Sequence, residues 1–264
     1  MYSFAVRGRW LVGHLVVLAI AALFIRLGIW QLDRLDEVRS RNRTIEARLQ
    51  MPAVPLQTLL TPGASFPEQA AYRRVTVSGT YQPLTAVVQF RALNGEPGRH
   101  VLAWLSTGDD VVLVNRGWVP ASGPDVPVPP ESAPAQGVVR LEGLVLPFEN
   151  GGVITEGPPG VTTVTRIDPA VLPTPSLPAY PGHVQLVDQS PRAGSLPVAV
   201  GLPVFDEGPH LSYAVQWFLF TAIGLVGWPF LIRRSARDRA RSSATSTDRA
   251  PTPEPVGRGG ETGR

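Results

Sequence analysis

Two long apolar segments, Leu11–Trp30 near the start and Ser212–Ile232 near the end, bracket about 180 residues with the character of β-sheet. Each is long enough to cross a bilayer, which takes about 20 residues. A chain built this way holds one folded domain between two membrane anchors and leaves both ends on the same side. The second segment opens with His210-Leu211-Ser212-Tyr213-Ala214-Val215-Gln216-Trp217. That puts a histidine, a tyrosine, a glutamine and a tryptophan at the mouth of a membrane helix, where polar groups are expensive and usually functional.

Charge gives the orientation. Arg233, Arg234, Arg237, Arg239 and Arg241 directly follow the second segment, and the nearest basic residue before it is Arg192. By the positive-inside rule the C-terminus lies in the cytoplasm. The first segment is less clear, with Arg7 and Arg9 before it but Arg34, Arg39, Arg41 and Arg43 after it, so the second decides. The first run also resembles a signal peptide, but Arg26 and Gly28-Ile29-Trp30-Gln31 stand where a small-residue cleavage site belongs. An uncleaved anchor is the better reading. The resulting division is a cytoplasmic N-terminus over 1–9, a first transmembrane helix over 10–31, a helical stalk over 32–50, an extracytoplasmic β domain over 51–209, a second transmembrane helix over 210–232 and a disordered cytoplasmic tail over 233–264. The setting is the plasma membrane.

Between the anchors, Gln31–Gln50 is charged and free of Gly and Pro, with Leu32, Leu35, Val38, Ile45 and Leu49 as a partial helical stripe. Pro52 and Pro55 end it. Beyond them, Tyr72–Tyr81, Ala86–Leu93, Val101–Thr107, Val111–Val119, Val138–Leu146, Val161–Ile167 and His183–Gln189 read as short strands. Gly95-Glu96-Pro97-Gly98 and Gly108-Asp109-Asp110 read as hairpin connections. Strands without intervening helices predict a mainly antiparallel β-barrel or sandwich. The Pro-rich stretches Pro120–Pro134 and Pro173–Pro181 are long for loops of a compact domain and read as mobile or partner-facing. From Ser235 the chain is Ser, Thr, Pro, Gly and Arg, a composition that predicts disorder.

Ordinary catalysis finds no support. There is no G-x-S-x-G, P-loop, G-x-G-x-x-G or H-E-x-x-H, and no cysteine for a thiolate metal site, nucleophile or disulfide. His14, His100, His183 and His210 lack metal-ligand spacing. Although the chain is basic overall, the middle from Asp33 to Glu207 has more acids than arginines, so nucleic acid is the wrong partner. A binding or assembly protein fits better than an enzyme.

Four motifs in register carry a resemblance. They are Leu27-Gly28-Ile29-Trp30-Gln31-Leu32-Asp33-Arg34, then Tyr72–Tyr81 with Gly98, Val101 and Leu102, then Val114-Asn115-Arg116-Gly117-Trp118-Val119-Pro120, and last His210–Trp217. Their order and spacing resemble the surfeit locus protein 1 family, in a bacterial member, from about residue 10 to residue 232. The resemblance implies a non-enzymatic assembly factor for haem-copper cytochrome c oxidase, with haem a as cofactor. It implies oxidase subunit I as partner, with haem a synthase as a second. Many members carry Asn just before the motif histidine, where this chain has Pro209.

On the residues themselves, His210 is the candidate metal ligand, because imidazole is a common axial ligand to haem iron. Tyr213 and Trp217 share its helical face at i+3 and i+7, and Arg26 and Arg34 are placed to pair with propionates. The alternative is a histidine that caps the helix or sits at the interface, with the aromatics as belt anchors. His14 lies about 20 Å along its helix from the outer end, too far to share an iron with His210. For Asn115, Arg116, Gly117 and Trp118 the two readings are a docking surface for the oxidase and a strand end with Trp118 packed and Arg116 in an ion pair. The second is preferred. Two functions therefore stand: a haem a-binding chaperone, which needs the His210 imidazole, and an assembly scaffold that binds no haem and tolerates its loss.

Overall fold

A computed structural model describes residues 8–192 and 194–247, with residues 239–247 known as helix backbone only. The chain divides into two units. One comprises the described residues up to Ser40 and those from Asp206, and the other is Arg41–Phe205.

The first unit is an antiparallel helix pair. Helix α1 spans Arg9–Gln50 and helix α2 spans His210–Thr247. Both are long and apolar enough to cross a membrane, which makes this a membrane protein. Rings from both helices meet along the seam: Phe24 lies 5.2 Å from Trp217 and 6.1 Å from Phe220, and Trp10 lies 5.9 Å from Trp228. Small residues let the backbones approach, as expected where lipid offers no hydrophobic drive for association. Gly28 is the clearest case, since a Cβ there would come within 2.7 Å of the Phe218 ring.

Helix α2 is longer than its apolar segment. It continues to Thr247, whereas composition predicts an unstructured tail from Ser235. Arginines and alanines, both among the best helix formers, make up about half of the extension, and no Gly or Pro interrupts it. Residues 248–264 of the expected tail lie outside the described residues.

The second unit is a mixed, mainly antiparallel sheet. Its strands are β1 (Val54–Pro55), β2 (Arg74–Leu93), β3 (Glu96–Ser106), β4 (Val111–Pro120), β5 (Val138–Leu146), β6 (Thr162–Val164) and β7 (Ala179–Ser190). Five of them close a ring in the order β2-β3-β4-β7-β5, because β2 pairs with both β3 and β5. The lower half of β2, Arg74–Thr80, pairs with β5, and the upper half, Thr80–Leu93, with β3. Closure into a small barrel removes sheet edges. Parallel pairings occur at β4–β7, β1–β2 and β2–β6.

Two expectations change here. The segments Tyr72–Tyr81 and Ala86–Leu93 belong to one strand, and Pro83 falls at a register shift, where its missing N–H removes no ladder bond. The β2–β3 turn is Asn94-Gly95, with φ of 52° and 84°, and Leu93 pairs with Glu96. Positive φ at both central residues matches a two-residue hairpin with a type I′ turn, so Glu96-Pro97-Gly98 belongs to the strand.

The core is built from alternate strand residues. Val75, Val77, Leu105, Val112, Val114, Leu141 and Val184 form one cluster, and Val88, Leu102, Trp104, Leu113 and Val164 another. Each fully buried Val or Leu contributes about 1.5–3 kcal/mol. The last turns of α1 join this unit, with Ile45 and Leu49 packed on Leu144 and Arg48 donating to the carbonyls of Glu68 and Ala71.

Candidate functional site

A polar side chain within an apolar helix has to find a partner, because the alternative is a desolvated group. Among the described residues of the helix pair, such partnerships form at both ends of the seam. At one end Trp228 donates its Nε1–H to Nδ1 of His14 at 2.7 Å, with the rings edge to face. At the other, His210 Nδ1 lies 2.8 Å from Gln31 Oε1. With the amide oxygen accepting, Nδ1 carries the proton and Nε2 keeps its lone pair. Among the described residues Nε2 has no hydrogen-bond partner. Gly208, at φ 68°, leaves space beside it: a Cβ there would sit 3.4 Å from Nε2.

The start of α2 is organised around His210. The Pro209 carbonyl accepts from the Tyr213 amide at 3.1 Å and from Ser212 Oγ at 2.7 Å. Beyond the apolar segments, Arg39 donates from Nε and Nη2 to the two carboxylate oxygens of Glu207, at 2.9 and 2.8 Å. That fork holds the Glu207 carboxyl below its usual range and fixes the chain just before His210.

The predicted haem-site residues come together only in part. His210 and Trp217 are half-buried, Trp217 lying against Phe24, while Tyr213 is 46 % exposed. Arg26 is exposed on α1, and Arg34 forms an exposed pair with Glu37 at 2.7 Å. Imidazole nitrogen with its second N–H fixed by an amide is a donor set that fits haem iron. His14, bonded to Trp228 at the opposite end of the seam, is no part of it.

The Asn115–Trp118 segment has a different character. Opposite Val101-Leu102, β4 carries one extra residue, since Val101 pairs with Gly117 and Leu102 with Asn115. Arg116 is that extra residue, and the bulge turns it inward to 1 % exposure. Its guanidinium donates to the carbonyls of Ser132 and Ala133 and lies 5.2 Å from the Tyr81 ring centroid. The expected ion pair is absent among the described residues; carbonyl dipoles and an aromatic face take its place. Burial lowers the Arg116 pKa and pushes the Tyr81 hydroxyl up to about 12. Gly117, at φ 131°, leaves no room for a Cβ, which would overlap the Val198 carbonyl. Trp118 is buried, with Nε1–H donated to the Arg91 carbonyl at 3.2 Å, and Asn115 bridges His100 Nδ1 and the Gly117 amide. All four positions are buried, in line with the packed reading.

Arg99 repeats the theme, donating to the carbonyls of Gly123, Pro124 and Val126. Together Arg99 and Arg116 pin the Pro120–Pro134 stretch at both ends, where the sequence reads as mobile. No group of three or more metal-ligating side chains occurs among the described residues.

Comparison with known proteins bears on the whole arrangement. The model of the SURF1 family matches residues 18–222, which takes in much of the apolar part of α1, the barrel and the His210 end of α2. The chain belongs to the SURF1 family. A SURF1-like protein of Mycobacterium tuberculosis (strain H37Rv) is 33% identical over 252 residues, covering 92% of this chain and 91% of the relative. A SURF1-like protein of Monosiga brevicollis is 28% identical over 235 residues, 83% of this chain and 87% of the relative. The SURF1 family is one of cytochrome c oxidase assembly factors rather than catalysts. Within this SURF1 chain, sequence reasoning named His210 but missed Gln31 as its partner. A glutamine closing an apolar segment was the available signal, but pairing across 179 residues has no local signature.

Proposed function

We propose that this protein assists assembly of haem-copper cytochrome c oxidase by binding haem a through His210 and presenting it to subunit I, with haem a synthase as donor. The observation that carries the reading is the His210–Gln31 bond, which orients an imidazole and leaves Nε2 available at the mouth of a membrane helix pair. Haem a, when bound, would supply an iron that the His210 imidazole could ligate. Gln31 holds the tautomer, Trp217 and Tyr213 supply aromatic surface on the same helical face, and Arg26 and Arg34 are the cations available to propionates, Arg34 by exchanging its exposed partner Glu37. The arginines after Ile232 support cytoplasmic termini and an extracytoplasmic barrel in the plasma membrane.

The test is a visible spectrum of the detergent-purified protein, co-expressed with haem a synthesis enzymes, beside His210→Ala. A haem a band present in the wild type and absent from a folded variant supports the proposal. Oxidase subunits co-purifying without stoichiometric haem in either protein would leave a scaffold that binds no haem.

A further inference from the structure

The cytoplasm-facing end of α2, as oriented above, carries a feature outside the His210 site. Gly227, Phe230, Leu231 and Arg234 follow one another at i, i+3, i+4 and i+7, so they share one helical face. Arg233 and Arg237 flank it, and together these residues line an open cleft of ≈ 800 Å³. The floor is apolar and the rim basic. The floor is open at Gly227, where a Cβ would meet no atom within 4 Å. Phe230 and Leu231 are 64 % and 56 % exposed, as befits a wall facing acyl chains. None of the three arginines forms an ion pair with a described residue. Asp238, the carboxylate on the same wall, is already engaged in an interaction of its own.

We infer that this cleft is a binding site for one anionic phospholipid, its phosphate held by Arg233, Arg234 and Arg237 and an acyl chain laid over Gly227 against Phe230 and Leu231. Charge and polarity change along the helix in the order a lipid presents them, hydrocarbon first and phosphate next. Guanidinium groups suit phosphate because they donate two parallel N–H bonds. Basic clusters directly beyond a membrane helix attract anionic headgroups, and three on one rim select anionic over zwitterionic lipid. The α-helical extension to Thr247 matters here, because it keeps the arginines in register with the apolar floor.

The experiment uses the full chain in detergent, where lipids are titrated and bound adducts counted by native mass spectrometry. Dioleoyl phosphatidylglycerol is expected to bind on the order of ten-fold more tightly than dioleoyl phosphatidylcholine. Arg233→Gln/Arg234→Gln/Arg237→Gln should erase the preference while the triple Lys variant keeps most of it. Gly227→Leu, which the open space tolerates, should weaken phosphatidylglycerol binding with helix content unchanged. Equal binding of the two lipids, or selectivity surviving in the triple Gln variant, overturns the proposal. Displacement of the lipid by millimolar inorganic phosphate, or full binding by Gly227→Leu, would reduce the site to a phosphate contact without an acyl groove and also overturn it.

Discussion

His210 and Gln31 are 179 residues apart in the chain and 2.8 Å apart in space, joined nitrogen to oxygen across the seam of the helix pair. That bond settles which imidazole nitrogen is available, and so it is where the proposed chemistry is most exposed to test.

Gln31→Ala should weaken haem a binding by about ten-fold, the low end for loss of a group that orients a metal-ligating histidine. Gln31→Glu keeps an acceptor at the same place and should retain most of the affinity. Spectrophotometric haem titration of both variants checks this. Equal affinity of wild type and Gln31→Ala would show that the bond has no part in ligation.

Arg116→Leu should loosen the Pro120–Pro134 stretch, because the carbonyls of Ser132 and Ala133 lose their cationic donor inside the barrel. Destabilisation on the order of 3 kcal/mol is expected for two such bonds lost in the interior. Limited proteolysis should cut within the stretch in the variant while the wild type resists. Arg116→Lys should behave similarly, since a single ammonium does not span both carbonyls as a planar fork does.

Gly117→Glu should unfold the barrel. Positive φ disfavours any side chain, and this one would drive Cβ into the Val198 carbonyl. A fall in thermal midpoint, with loss of near-ultraviolet dichroism, is the expected readout. A normally folded variant that fails only to bind oxidase would contradict the interior placement.

The barrel should lose stability in acid. Burial holds His100 and His183 neutral, each with a pKa lowered from 6.5 to about 4, Arg91 adding to the effect on His100 and His100 to that on His183. Above pH 6.5 both folded and unfolded chains carry neutral imidazoles and no penalty arises. As pH falls from about 6.5 towards about 4, the unfolded chain takes up protons that the folded barrel refuses, so stability declines through that window. Denaturant midpoints at pH 7 and pH 4.5 should show the drop, and His100→Gln/His183→Gln should flatten it.

The double-anchored layout and the strand-rich middle were legible because hydropathy and alternation are local properties, and β4 and β5 start and end within a residue of the segments read from Val111 and Val138. The choice between barrel and sandwich was left open, since ring closure depends on one strand, β2, pairing with partners both near and far in sequence. Arg116 illustrates the same limit. Arginine in a strand suggests a carboxylate partner or a surface, and only the bulge opposite Val101-Leu102 explains why it points inward and bonds to carbonyls. His210 could be named from its motif, but its partner had to come from another helix. The helical tail was missed because Ser- and Thr-rich composition outweighed the arginines and alanines among them.

The double pairing of β2 has a consequence for synthesis and quality control. A chain that stops before Ala179 keeps β2 through β5 yet lacks β7, the strand that bridges β4 to β5. Such a product is no smaller barrel. It is an open sheet with two bare edges lined by Val111–Val114 and Leu144–Leu146, a template for pairing with other chains. Truncations late in the domain should therefore aggregate rather than stay soluble and inactive, and the last strand acts as the seal that makes the rest safe.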